Sequence, residues 1–370
     1  MSFEIETQVL RHAVELTNNA VSRKTTNPIL RGVKLSVEED FLHIYATDLQ
    51  TGFHKFLKVK NNDGPFSTVV EQRIFFEVLS NLNSETVKLT LDGVLKISSG
   101  NSTFRLPTMD PDEFPSLTFD VTGSDTSIDR VTLSEMMEKV MFCALKEANS
   151  LSKNLNAVYW DFRKGGFLNL VATDSFRLGL SEKKLEDDNR LSSFLLSLKS
   201  MEELKTIIST AKTEKIKIIQ ADSQILFNFE DDNNELIFNI IDSEFPDYLQ
   251  IMPKSFLTKI KAKTSDFLFI MKRMSITAGR DEYTLLNIQD GVIRFYASSP
   301  EVGEAREEIE IDQEGGNIEI AYSPRFFREA LEKIETVEFE FNISGEETPT
   351  ILKPLEDNSY MYIVMPKRKA

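Results

Sequence analysis

The residues able to do acid–base, nucleophilic or metal chemistry are few in this chain, and they do not converge. Three histidines, His12, His43 and His54, are the side chains whose unperturbed titration falls near neutral pH, and all lie in the first third of the sequence. None stands in an H-E-x-x-H or other ligand spacing. His12 reads as a helix-surface residue and His43 as an outward-facing strand residue. Cys143 is the only cysteine, which excludes a disulfide framework or a cysteine-rich metal site. It falls among apolar residues of a helix that begins near Leu133 and reads as packing. Acidic runs at Glu186–Asp188 and Glu230–Asp232 read as solvated turns with no partner base. No G-x-S-x-G, Walker A or G-x-G-x-x-G occurs. The expectation is a protein with no catalytic residue, no metal and no cofactor.

The elements that must carry any function repeat. FLHIYATD (Phe41–Asp48) recurs as FLNLVATD (Phe167–Asp174) and again as VIRFYASS (Val292–Ser299), at shifts of 126 and 125 residues. Arg73 with Glu77, Lys199 with Glu203 and Arg325 with Glu329 repeat a cation followed by Glu four residues on, and Leu10 and Val14 map onto Met136 and Val140. EFPSL (Glu113–Leu117) returns as EFPDY (Glu244–Tyr248) after a small insertion. The period is far longer than that of a solenoid and gives three related domains of about 120 residues, drawn at 1–125, 126–252 and 253–370.

Each copy opens with an amphipathic helix. Leu133, Met136, Met137, Val140, Met141 and Ala144 follow the i, i+3, i+4, i+7 rule, as do Phe267, Leu268, Met271, Met274 and Ala278 after Thr264 or Ser265 as N-cap. Alternating strands follow, as across Asp92-Gly93, with similar turns at Gly165-Gly166 and Asp290-Gly291. A second helix lies mid-copy; Ser323-Pro324 opens the third, burying Phe326, Phe327, Ala330, Leu331 and Ile334. The fold class is α+β: helices packed on antiparallel sheet.

Composition sets bounds. Of 370 residues, 43 are Lys or Arg and 59 are Asp or Glu, a net charge of −16, which argues against coating nucleic acid by bulk charge. Twenty-seven Phe supply ample core. The lone cysteine suits a reducing compartment. The opening MSFEIETQVLRHAVEL lacks a signal-peptide h-region, and no apolar run approaches membrane-span length. The expected location is the cytoplasm.

NPILRGVKL (Asn27–Leu35), ATDLQTG (Ala46–Gly52), ATDSFRL (Ala172–Leu178), EFPDY and YIVMPKR (Tyr362–Arg368) together resemble the bacterial β sliding clamp family, the β subunits of replicative DNA polymerase III. The resemblance spans the chain in length, order and three-part repeat. It implies a head-to-tail homodimeric ring, with helices lining the hole and sheets outside. Such a ring encircles duplex DNA without regard to sequence and tethers the polymerase. It also reconciles the acidic charge with DNA. A tether must hold yet slide, and each neutralised phosphate adds about 0.9 to the salt slope of affinity, so a few basic lining residues suffice. The lining candidates are Arg23, Lys24, Arg73, Lys139, Lys146, Lys199, Lys272, Arg325 and Arg328. Read without the resemblance, these are solvated helix cations.

The resemblance further implies a cleft for QLxLF-type peptides from the replicative polymerase subunit, clamp loader, repair polymerases and ligase-type clients. Its matching positions are Leu155, Thr173, Ser175, Arg177, Leu178, Pro246, Ile251, Ile363, Met365, Pro366 and Arg368. Leu155, Leu178, Ile251, Ile363 and Met365 would form an apolar floor, Thr173 would sit at the rim, Pro246 and Pro366 would stiffen the walls, and Arg177 would frame the opening. Outside the resemblance, Leu155, Leu178 and Ile251 read as ordinary core, and Asp174 as a turn residue matching Asp48. Phe176, Gln250 and Lys367 depart from the family's pattern. At the dimer seam the resemblance places Phe104 and Leu106 against Ile276 of the second subunit, with Arg73 and Arg105 facing Glu301, Glu304 and Glu307. The competing reading is an acidic protein-binding scaffold that never encircles DNA.

Overall fold

The computed structural model describes residues 1–147, 152–186, 191–279 and 283–368. The first repeat runs β1 (Ser2–Glu6), α1 (Thr7–Leu16), β2 (Gly32–Glu38), β3 (Phe41–Thr47), β4 (Thr51–Lys58), β5 (Phe66–Glu71), α2 (Gln72–Ser80), β6 (Thr86–Leu91), β7 (Leu95–Ser99) and β8 (Ser102–Leu106). The second runs β9 (Ser124–Asp129), α3 (Arg130–Val140), β10 (Ala157–Arg163), β11 (Phe167–Thr173), β12 (Arg177–Lys184), β13 (Phe194–Ser197), α4 (Leu198–Thr210), β14 (Lys215–Ala221), β15 (Gln224–Phe229) and β16 (Asn234–Asn239). A short helix, α5 (Tyr248–Ile251), lies in the connecting segment. The third runs β17 (Thr258–Lys263), α6 (Thr264–Thr277), β18 (Thr284–Gln289), β19 (Val292–Ser299), β20 (Gly303–Glu310), β21 (Asp312–Gly315), β22 (Ile318–Tyr322), α7 (Pro324–Leu331), β23 (Glu338–Ile343), β24 (Thr350–Pro354) and β25 (Tyr360–Val364).

The helix that opens each repeat grows straight out of a strand, and this changes how its first amide is satisfied. The N–H groups of Thr7, Arg130 and Thr264 donate to the carbonyls of Glu85, Glu214 and Val337, each at 2.9 Å. In all three repeats the acceptor immediately precedes the strand beside the helix. A backbone carbonyl thus does what a capping side chain would otherwise do. Thr264 and Ser265 are therefore not caps. Lys263 holds the N-cap position without a side-chain bond, while the Thr264 hydroxyl donates to Thr336 O at 2.8 Å. At the tight turn Asp290-Gly291, φ is +52° and +79°, the doubly left-handed geometry of a two-residue hairpin loop.

Strand pairing runs across the repeats. One sheet has the order β5-β2-β3-β4-β16-β15-β14-β9, and another β13-β10-β11-β12-β25-β24-β23-β17-β21. The junctions β4·β16 and β12·β25 join first repeat to second and second to third. Two four-stranded sheets, β1-β6-β7-β8 and β20-β19-β18-β22, remain within single repeats, and each leaves an outer strand, β8 or β20, without a further strand partner among the described residues. Two compact units result, one built chiefly from Met1–Ser134 and Lys199–Ile240, the other from the remainder. The boundary cuts through the second repeat because each of its sheets is continuous with a neighbour's.

Phenylalanine supplies most of the largest fully buried side chains. Phe267 on α6 lies 5.3 Å from Phe295, 5.8 Å from Phe327 and 5.3 Å from Phe339, ring centre to ring centre. In the first repeat Phe3 meets Phe66 edge to face at 5.0 Å. Among the described residues no helix is long and apolar enough to cross a membrane.

Candidate functional site

The turns ending β3 and β11 are built alike. Thr47 Oγ1 donates to Thr51 O at 2.7 Å and accepts from Leu49 N, while Asp48 Oδ1 accepts from the amides of Gln50 and Thr51. In the second copy Thr173 Oγ1 donates to Arg177 O at 2.6 Å and accepts from Ser175 N, while Asp174 Oδ1 accepts from Phe176 and Arg177. Ser175 holds φ at +77°, as Leu49 does at +74°. Thr173 is consequently buried and committed to the turn; it is not a rim residue.

Arg177 departs furthest from expectation. Its side chain is 6% exposed and does not frame an opening. Nε donates to Asp174 Oδ2 at 2.9 Å, Nη1 to Glu329 and Nη2 to Phe142 O at 2.8 Å. Phe326 and Phe142 stack over the guanidinium at 4.4 and 5.4 Å. Each of the three nitrogens makes a hydrogen bond, and the residue is a buried ion held by the fold.

The rest of the peptide set is gathered by β12·β25 pairing. Leu178 lies opposite Ile363, Arg177 opposite Val364, and Met365 N–H donates to Phe176 O at 2.8 Å. Leu178 and Ile363 are buried in one apolar cluster with Val171, Leu180, Tyr248 and Ile351, against which Phe245, Met252, Phe256 and Met361 pack. The connecting segment is pinned there by Tyr248, whose hydroxyl donates to Asp161 at 2.6 Å and accepts from Asn169 at 3.1 Å, and by stacking of Phe245 on Tyr159. Asn154 donates to Glu244 O at 2.8 Å, which brings the Leu155 loop beside the stretch holding Pro246. Leu155 and Met365 are half-buried; Pro246 and Ile251 are exposed. Met365, Pro366 and Arg368 line a cavity of about 440 Å³ with Glu319, Glu346 and Glu347. Phe176, 64% exposed, stands at the tip of the turn beside Met365. A neighbouring cavity of about 620 Å³ opens beyond Met252, Phe256 and Met361, and nothing in the sequence pointed to it.

Of the DNA-facing candidates, Arg23, Lys24 and Lys199 line one depression of about 580 Å³. Lys199 is already engaged by Asp48 and, at 3.4 Å, by Glu203. Against the pull of burial, the bond to Asp48 holds the Lys199 amine above its usual range, while burial pushes the Glu203 carboxyl up to about 7. Arg73 and Lys146 are exposed. Lys139 is half-buried, its ammonium 6.0 Å from the Tyr360 ring centre. Lys272 and Arg328 share Glu332, and Arg325 stacks on Phe326.

Of the seam candidates, Phe104 is 37% and Ile276 68% exposed, and Glu301 and Glu304 are exposed. Leu106 is already buried within its own sheet. Glu307 is taken by Arg273 of the same chain and so is not free for Arg73 or Arg105.

Burial raises the Cys143 thiol well above its usual range. Asp232 accepts from the amides of Lys212 and Thr213. Of Glu186–Asp188, Asp187 and Asp188 lie outside the described residues. One constellation escaped the sequence. His43 Nδ1 and His54 Nε2 share a hydrogen bond of 3.0 Å, and His54 Nδ1 meets Glu235 Oε2 at 2.7 Å. The rings stack with Tyr45, and burial, then His54, lowers the His43 pKa. Strand alternation could have paired the two histidines, but Glu235 is 181 residues from His54. Among the described residues, no group of three or more His, Cys, Asp or Glu is placed to hold a metal.

Three tandem α+β repeats that share sheets end to end define a DNA-clamp architecture. Residues 1–118, 127–247 and 249–368 match the family models for the N-terminal, central and C-terminal domains of the DNA polymerase III beta subunit. The Staphylococcus epidermidis beta sliding clamp is 28% identical over 384 aligned residues, covering 100% of this chain and 99% of that protein. The solved DNA polymerase III beta subunit of Thermotoga maritima is 33% identical with a TM-score of 0.92, and the sliding clamp of Bacillus subtilis is 26% identical at 0.93; each comparison covers 100% of both chains. The chain belongs to the DNA polymerase III beta subunit family and is a DNA sliding clamp.

Proposed function

We propose that two copies close head to tail into a ring around duplex DNA, with the domains at 1–125, 126–252 and 253–370, and that the ring acts as a cytoplasmic tether rather than as an enzyme. The observation that carries this reading is the pair of open edges. By position in the repeat, β8 corresponds to β16 and β25, and β20 to β4 and β12. The chain pairs β4 with β16 and β12 with β25, so the same rule applied between subunits pairs β20 with a second copy's β8. Carrying over the register sets Leu106 opposite Gly303, Arg105 opposite Glu304 and Phe104 opposite Ala305. That register puts a cation beside an anion and covers two edges that would otherwise invite aggregation. Duplex DNA passing through the ring would meet the lining cations Arg23, Lys24, Arg73, Lys146, Lys272, Arg325 and Arg328. Lys139 and Lys199 line it too, Lys199 contributing less because Asp48 and Glu203 hold it and Lys139 because it is half-buried. Lys272 and Arg328 must share their charge with Glu332.

Loading onto a nicked circle with a clamp loader and ATP tests the reading. Protein retained on the circle after gel filtration should run off once the circle is cut. Retention on the cut DNA would mean binding by contacts, and the ring reading would be wrong.

Clients would dock by short QLxLF-type peptides from the replicative polymerase subunit, the clamp loader, repair polymerases and ligase-type proteins. Leu178 and Ile363 supply the floor, and Leu155, Pro246, Ile251, Met365, Pro366 and Arg368 the surround. Two or three apolar anchors at about 1.5–3 kcal/mol each, less ordering costs, give roughly micromolar affinity. Leu178→Ala would also open a core cavity, so half-buried Met365 is the cleaner probe. Met365→Ala should weaken a fluorescent QLxLF peptide about tenfold with the melting temperature unchanged, and Met365→Ala with Leu178→Ala should abolish binding. Equal affinity in the double variant would remove the pocket from where it is placed.

A further inference from the structure

Both junctions that the repeat makes within one chain carry a charge clasp on largely buried carboxylates; its cation is buried in Arg177 but 58% exposed in Lys199. Beside β4·β16, Lys199 on α4 bridges Asp48 and Glu203, whose side chains are 7% and 5% exposed. Beside β12·β25, Asp174 takes the place of Asp48 and Glu329 that of Glu203, and Arg177 bridges them. The cation differs in origin, from the helix in one case and the strand in the other. The logic is the same: a turn carboxylate and a helix carboxylate are held by one cation where two domains share a sheet.

The turn after β19 is the third position of this kind. Ser299 stands where Asp48 and Asp174 stand, and Gly303 where Thr51 and Arg177 stand, in a turn one residue longer. Gly303 holds φ at +112°, a region that admits no arginine without strain. In the head-to-tail ring the helix meeting this turn is α2 of the second copy, whose Arg73 and Glu77 are both exposed in the protomer. The nearest acid on the turn, Glu301, is exposed.

We propose that the junction between subunits is the one built without a charge clasp on a buried turn carboxylate, and that Ser299 is the position that leaves it out. This rests on the head-to-tail reading. The two junctions within a chain never need to part, whereas the third must separate to admit DNA. Exposed pairing of Arg73 with Glu301 contributes at most a few-fold to association, far below what removing one partner of a buried ion pair such as that of Arg177 costs. Ser299 Oγ already accepts from Val302 N at 3.2 Å, a bond an aspartate can keep as Asp48 keeps that of Thr51.

Subunit exchange between two dye-labelled pools of full-length chain tests this, with mass by sedimentation. Ser299→Asp should slow exchange about tenfold or more, and adding Arg73→Ala should erase the gain. Arg73→Ala alone should change exchange by less than about fivefold. A loss near 100-fold from Arg73→Ala alone would mean that a clasp already exists, and would overturn the proposal even if Ser299→Asp fails to fold. A folded Ser299→Asp variant with unchanged or faster exchange would overturn it too. A parent chain that is monomeric at micromolar concentration would instead remove the head-to-tail reading, and the clasp with it.

Discussion

Replacing Arg177 with alanine should lower stability by about 3–5 kcal/mol, the cost typical of removing one partner from a buried ion pair. The guanidinium answers three acceptors from separate parts of the chain, Asp174, Glu329 and Phe142 O, and its loss strands two carboxylates whose side chains are 13% and 25% exposed. Lysine should rescue little, because one ammonium cannot reach three directions through a planar fork. A triple change, Arg177→Met with Asp174→Asn and Glu329→Gln, should be less damaging than Arg177→Ala, because no uncompensated charge remains. Denaturant unfolding checks this through the midpoint at constant m-value. A loss below about 1 kcal/mol would mean that the clasp is not what holds α7 against the β11–β12 turn. The result also bears on clients. If Arg177 acts only through the fold, the folded fraction of a milder variant should bind peptide with unaltered affinity.

Arg177 shows where sequence reading stops. The repeat itself was legible because strand alternation and helix periodicity survive substitution: FLHIYATD and FLNLVATD became β3 and β11 in matching places. Asp174 was legible as a turn residue through Asp48, and the two turns share the same four side-chain bonds to the backbone. Burial of Arg177 was not legible, because Glu329 lies 152 residues away and no local pattern reports it. The same reason hid the His43–His54–Glu235 chain, which needs the β4·β16 junction to form. The caps failed differently. Thr264 looked like an N-cap, but a neighbouring strand's carbonyl had already taken the first amide. The proposed peptide positions came from resemblance alone; burial divides them into core residues such as Leu178 and Ile363 and exposed ones such as Pro246 and Ile251.

Glu203→Gln should stabilise the protein at pH 8 and have little effect near pH 5. The folded carboxyl titrates near 7, against 4.5 for the free group, chiefly because burial disfavours its charge; Thr51 and Lys199 only partly offset this. With the folded pKa raised, the stability linked to protonation is full below about 4.5 and is lost as pH climbs through about 7. The loss by pH 8 is about 3 kcal/mol. Glutamine cannot ionise and escapes it, while Asp48 still holds Lys199. Urea midpoints across this range should therefore diverge between the two proteins as pH rises; parallel curves would show that Glu203 stays charged in the fold. The same variant probes the DNA-facing role of Lys199. Freed from one of its two carboxylates, the ammonium can reach a phosphate, and the salt slope of the loaded ring's DNA attraction should steepen by up to about 0.9, the increment for one added phosphate contact. An unchanged slope would leave Lys199 as a clasp residue alone, and the lining at that junction would fall to Arg23 and Lys24.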